Sequence, residues 1–160
     1  MIKKIFTLFL FLGSFATLPQ AEETKLKVYT FSEVDKLHPQ KPKPIVVFIY
    51  TDWCKICYGM KKTTFKNKKV IQLLNDNFYF ITLNGEEKKE ITFLGKTFVY
   101  KPTGSNTGVH ELANELAAIK KRISYPTTTV LNSKFVIELQ ISGLYNAKKM
   151  ETILSSLLIN

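Results

Sequence analysis

Apolar positions along the chain change period several times, and each change marks an element. Leu26 to Thr30 predicts a short strand, after which Ser32 caps a brief helix reaching Leu37 and a Pro-rich connector, Pro39 to Pro44, blocks regular structure. Ile45 to Thr51 is an unbroken, β-branched-rich apolar run, the pattern of a strand buried on both faces of a sheet. Spacing then turns helical. A helix starting near Cys54 runs to about Phe65, and Asn67 caps a continuation with Val70, Leu73 and Leu74 on one face. Phe78 to Leu83 is the next strand, and Glu90 to Phe93 and Thr97 to Tyr100 flank Leu94-Gly95-Lys96 as a β-hairpin. A polar loop, Thr103 to Gly108, leads into a helix from Val109 to Ile119 with Leu112, Leu116 and Ile119 on one side. Thr127 to Leu131 and Phe135 to Ile141 form an antiparallel pair about Asn132-Ser133-Lys134, and Asn146 caps a closing helix whose Met150, Ile153, Leu154 and Leu157 pack inward. Such an order predicts an α/β fold with a central mixed sheet flanked by helices.

The first residues stand apart from this alternation. Lys3 and Lys4 precede an apolar run from Ile5 to Phe15, followed by small residues at Ala16 and Ala21. The run is shorter than the roughly 20 residues that span a bilayer, so the layout is that of a secretory signal peptide and not of an anchor. Residues 1–21 are read as this leader, with cleavage after Ala16 or Ala21 left open, and residues 22–160 as one domain in an extracytoplasmic, for instance periplasmic, location. At 45% apolar residues the chain suits a globular core. The formal charge of the chain is +10, yet Arg122 is the single arginine among 23 basic residues. Phosphate and nucleic-acid recognition lean on the planar guanidinium, so a solvated lysine surface is expected and a nucleic-acid partner is not. Lys55, Lys61, Lys62, Lys66, Lys68 and Lys69 nevertheless cluster after Cys54, where they can raise the local potential or attract an acidic partner.

Cys54 and Cys57 are the only cysteines, three apart at the predicted junction of strand and helix. In the first turn of a helix such residues lie about 5 to 6 Å apart, within reach of a reversible disulfide. Unpaired amides at the helix start favour a thiolate at Cys54, and Lys55 adds to that bias. Export makes oxidation available, while a loop this small stabilises the fold too little to explain the pair as a structural staple.

Trp53-Cys54-Lys55-Ile56-Cys57, with Tyr125-Pro126-Thr127 opening a late strand, resembles the thioredoxin superfamily over essentially the whole chain after the leader. Thr51-Asp52-Trp53-Cys54 and Thr64-Phe65 are similar to exported bacterial thioredoxin-like proteins and to the C-terminal domain of DsbD. The resemblance implies a thioredoxin fold with the Glu90–Tyr100 hairpin as an insertion. It implies Cys54 as the nucleophile, Cys57 as the resolving thiol, Trp53 as a shield beside them, and Pro126 as a cis-proline facing the cysteines. Tyr125 either touches substrate or covers the core. The implied activity is thiol-disulfide exchange without a bound cofactor, acting as a monomer on protein disulfides, reductive in direction and resupplied by a membrane thiol reductant. Two departures stand out. Phe48 occupies the position six before Cys54 where thioredoxins carry a buried aspartate, and Lys55-Ile56 replaces Gly-Pro between the cysteines.

A second reading is a thioredoxin-fold module that binds a peptide or a metal without turnover, and a further one is a disulfide oxidase or isomerase. His38 and His110, the only histidines, lack ligand spacing to the cysteines, so both are expected as solvated surface residues and no metal is expected. Met60 is expected to fill core.

Overall fold

The computed structural model describes residues 25–159, so the expected leader lies outside the described residues. Its central sheet has four strands in the order β10-β9-β1-β2. β1 (Ile45–Tyr50) runs parallel to β2 (Tyr79–Asn84), and β9 (Thr127–Leu131) runs antiparallel to both β1 and β10 (Ile137–Ser142). Helices α2 (Lys55–Lys62) and α3 (Lys68–Asn77) connect β1 to β2, and α5 (Ala147–Ser156) closes the chain. A mixed sheet flanked by helices is therefore present, as the alternation requires.

Both faces of β1 are buried, and its side chains divide between two cores. Ile45, Val47 and Ile49 join Val34 of α1 (Phe31–Leu37) and Leu112 and Leu116 of α4 (Glu111–Ala117). Val46 and Phe48 point the other way, to Cys57, Met60, Phe65, Leu74, Met150 and Leu154. Strand periodicity thus assigns the cysteines to one face of the sheet.

The insertion is larger than the sequence suggests. A first hairpin, β3 (Ile91–Phe93) with β4 (Lys96–Phe98), lies where predicted, and its Phe93 and Phe98 cover the α1/α4 core. The supposed polar loop is the tip of a second hairpin, β5 (Tyr100–Pro102) with β6 (Gly108–His110). Gly108 is required there, because a Cβ would run into the ring of Tyr100 and the carbonyl of Lys101. A two-residue-strand hairpin, β7 (Ala118–Ile119) with β8 (Arg122–Ile123), replaces the predicted last turn of the helix before β9.

Other boundaries move for local reasons. The predicted strand at Leu26 to Thr30 reduces to one bridge, Tyr29 to Ile81, because the Asn75 side chain takes the backbone of Lys25 and Lys27 instead. Thr30, not Ser32, caps α1, through a reciprocal capping box with Glu33. The helix after Cys54 stops at Lys62: Thr63 bonds back to the Gly59 carbonyl and Thr64 donates to the Tyr145 carbonyl, leaving a 3-10 turn at Thr64–Lys66. Asn67 and Asn146 cap α3 and α5 as predicted.

Candidate active site

The end of β1 delivers Thr51 to Trp53 into a tight turn in which the Cys54 amide donates to the Thr51 carbonyl at 3.2 Å. Cys54 is the N-cap of α2, and its sulfur accepts from the Cys57 amide at 3.1 Å. A helix start supplies such amides without an internal partner, so the sulfur stands where negative charge is stabilised. The two cysteines form a disulfide with Cα atoms 5.2 Å apart. Cys57 is fully buried, while Cys54 keeps a small opening to solvent at 7% exposure. Met60 is fully buried behind them.

Around the disulfide the sides differ. Trp53 projects at 65% exposure, its indole N–H donating to Glu86 at 3.2 Å and its ring meeting Tyr125 edge-on at 5.9 Å. Asn84 ties Asp52 to the same corner at 3.0 Å and accepts from the Glu86 amide. Gly85 holds this corner to the sheet: its amide donates to the Tyr50 carbonyl at 2.7 Å, and its carbonyl accepts from His110 at 2.8 Å. The Tyr125 ring and hydroxyl occupy the space a Gly85 side chain would need. Burial, and then Glu86, push the Tyr125 phenol above its usual pKa, so it is a neutral group at physiological pH. Glu86 was not legible as a site residue, since nothing in Gly85-Glu86-Glu87 separates it from an ordinary surface turn.

Tyr125-Pro126 is a cis peptide, and Pro126 is buried. The register of Ile49 against Thr127 sets Pro126 beside the end of β1 that leads to the cysteines. The Pro126 carbonyl accepts from Gly143, whose φ of 101° lies in the left-handed region that glycine adopts freely. Trp53, Tyr125, Pro126 and the cysteine pair thus belong to one end of the sheet.

Behind the pair, Phe48 is fully buried and meets Phe65 edge-on at 4.8 Å, so no carboxylate replaces the missing aspartate at that point. The nearest polar group on the strand is Tyr50, over whose ring the Lys61 ammonium sits at 2.8 Å from the centroid. Burial lowers the pKa of Lys61, against an opposing pull from Asp52, and burial raises that of Tyr50. Lys55 is exposed, as are Ile56 and Tyr58.

Both histidines correct the expectation of solvated residues. His38 is 6% exposed and packs on Phe135 at 4.3 Å between ring centroids. His110 is fully buried, and its Nδ1 accepts from the Leu112 amide as the N-cap of α4. They fill apolar space and cap a helix, roles that sequence spacing does not signal. Among the described residues no group of three or more His, Cys, Asp or Glu side chains is placed to hold a metal ion.

Residues 31–158 match the family described as Thioredoxin-like domain. The chain belongs to this family. The thioredoxin-like domain has partial relatives among curated proteins. An uncharacterized protein of Caenorhabditis elegans is 34% identical over 62 residues, and spermatogenesis-associated protein 20 of Mus musculus 32% over 66. These stretches are 39% and 41% of this chain but 8% of either relative, so the chain spans a small part of their length. Among solved structures, a thioredoxin from Thermus thermophilus superposes with a TM-score of 0.60 at 17% identity, covering 84% of this chain and 88% of that one. A DsbH oxidoreductase gives 0.57 at 14% identity over 85% and 87% of the two chains. The reduced C-terminal domain of DsbD from Neisseria meningitidis gives 0.53 at 17% identity over 78% and 90%. The likeness is one of fold. Together with the Cys54–Cys57 disulfide at a helix start, it supports a thiol-disulfide oxidoreductase.

Proposed function

We propose that this thioredoxin-like domain is an exported reductase of protein disulfides. The observation that carries the reading is the asymmetry of the pair: Cys54 caps α2 and opens to solvent, while Cys57 is fully buried behind it. In the dithiol form, Cys54 Sγ attacks one sulfur of a substrate disulfide, and the other substrate sulfur leaves as a thiolate and takes a proton. Cys57, deprotonated, then attacks Cys54 Sγ. The mixed disulfide breaks, the second substrate thiol departs, and two electrons have passed from the cysteine pair to substrate. Regeneration needs a thiol donor, for which a membrane reductant fits the exported location. Trp53 and Tyr125 line the approach, and the backbone of Tyr125, turned by its cis bond to Pro126, offers an extended substrate segment an edge to pair with. Lys55 favours the Cys54 thiolate. The monomeric state and the export itself belong to this same reading.

Substitution separates the roles. Cys54→Ser abolishes reduction of a protein disulfide, whereas Cys57→Ser retains attack and accumulates covalent mixed disulfides that non-reducing gels and mass spectrometry detect. Equal alkylation of the two reduced thiols in the folded protein would count against the assignment.

A further inference from the structure

The charges around the disulfide are sorted. From Trp53 to Asn75 the chain carries six lysines and no Asp or Glu. α2, the 3-10 turn and α3 follow one another on this flank, so the sequence run becomes a surface. Lys69 is paired with Glu151 at 3.5 Å, and Lys61 is folded over Tyr50. Lys55, Lys62, Lys66 and Lys68 are exposed, and none has a carboxylate within 4 Å among the described residues. On the insertion, by contrast, Lys96 pairs with Glu115 at 2.6 Å and Lys101 with Glu111 at 3.1 Å.

Carboxylates gather instead at the corner of Trp53 and Asn84, where Asp52 also acts on Lys61. Asp52 is held by Asn84 and Glu86 by the Trp53 indole, with Glu87 adjoining them. The sulfur pair therefore lies on a boundary between positive and negative ground. Like charges held together without counterions repel, and a partner bringing carboxylates to one flank relieves that repulsion. At the corner of Trp53 and Asn84 the same carboxylates would be repelled. Opposed fields of this kind fix the orientation of a partner and speed its encounter more than they deepen affinity.

We infer that the lysine flank formed by α2, the 3-10 turn and α3 docks an acidic polypeptide, the carboxylates of the substrate lying on one side of its reactive cysteine. This names the substrate class for the exchange reading and rests on it. Exposed Ile56 and Tyr58 within the same flank give such a segment apolar contact beside the charges.

Two readouts test it with the full mature chain. The first is binding to the oxidised protein of fluorescent peptides in which serine replaces cysteine, so that no exchange occurs; three Glu lie before, after or on neither side of that serine. One acidic order binds about tenfold more tightly than the neutral peptide at low ionic strength, and the preference disappears by about 0.5 M salt. The second is reduction of the matching disulfide peptides and of bis(2-hydroxyethyl) disulfide by the wild type and by Lys62→Glu/Lys66→Glu/Lys68→Glu. The triple variant loses the preference for the acidic peptide but reduces the small uncharged disulfide within about twofold of wild type, a control for folding and chemistry. Peptide binding without any exchange would sink the reductase reading and leave the docking surface standing. Exchange that ignores peptide charge would overturn the docking surface, as would salt-sensitive binding to vesicles rich in anionic lipid with no preference among peptides.

Discussion

Gly85 shows how much one missing side chain can matter. Its amide and carbonyl are both held, by Tyr50 and His110, so the backbone has no freedom to retreat from an added methyl. That methyl would meet the Tyr125 ring, which in turn rests against Trp53. Gly85→Ala is expected to cost about 1–3 kcal/mol, the usual range for overpacking, read as a lowered midpoint of urea unfolding. Because the displaced ring is the one that touches Trp53, tryptophan fluorescence should change in the folded state as well. An unchanged midpoint and spectrum would mean that Tyr125 rotates away without consequence. Phe48 illustrates the opposite case: the sequence alone showed that the customary aspartate was missing, and the structure fills its place with aromatic packing.

Among the elements, those whose signal is local were legible and those whose signal is tertiary were not. The β1 run, the caps at Asn67 and Asn146 and the first hairpin each follow from residues adjacent in sequence. The strand expected at Leu26 to Thr30 depended on a competitor 48 residues from Lys27, the Asn75 side chain. The second hairpin was hidden because Thr103 to Gly108 is as polar as any loop, and its pairing partner is the short Tyr100–Pro102 segment. In the candidate site, the cysteines and Tyr125-Pro126 were marked by spacing, whereas Glu86 is recognisable only through the indole it accepts from. The second hairpin also carries a pH dependence. Glu111, at the start of α4, accepts from the Val99 amide at 3.0 Å and pairs with Lys101, and these bonds hold its carboxyl below the usual range. A depressed folded pKa contributes stability that is present above the unfolded value of about 4.3 and lost as pH falls through the lower folded value. Glu111→Gln should therefore lower the urea midpoint at pH 7, by a gap that narrows as pH falls below about 4.3 and closes below the folded pKa. A gap that persists undiminished at pH 3 would point to packing and not to charge.

For the whole molecule, redox direction and address are each read by one measurement. Thioredoxin-type reductants have potentials near about −270 mV with a thiol pKa of about 7, whereas strong oxidants stabilise the thiolate far more and lie near about −120 mV. Here the helix start and Lys55 favour the thiolate, while the apolar surroundings of Cys57 oppose charge. Partial activation and a potential on the reducing side are the expected outcome of equilibration with glutathione. A pair that stays reduced in strongly oxidising buffer would make the protein an oxidant. Intact mass of protein recovered from its native host is expected to begin after Ala16 or Ala21, and a soluble cytosolic chain starting at Met1 would remove the export argument.

The sheet order has a consequence of another kind. Among the described residues β2 is a sheet edge, and its outer side is met by one bridge, from Tyr29. Five of its six residues, Tyr79 to Leu83, are the sort of β-prone sequence that another unpaired strand could join. What stands against that is the leading segment itself, clipped in place by Asn75 and carrying Lys25 and Lys27 along the open side. Charge at an edge discourages a second chain from adding to it, so the same short segment that fails as a strand serves as the guard against aggregation.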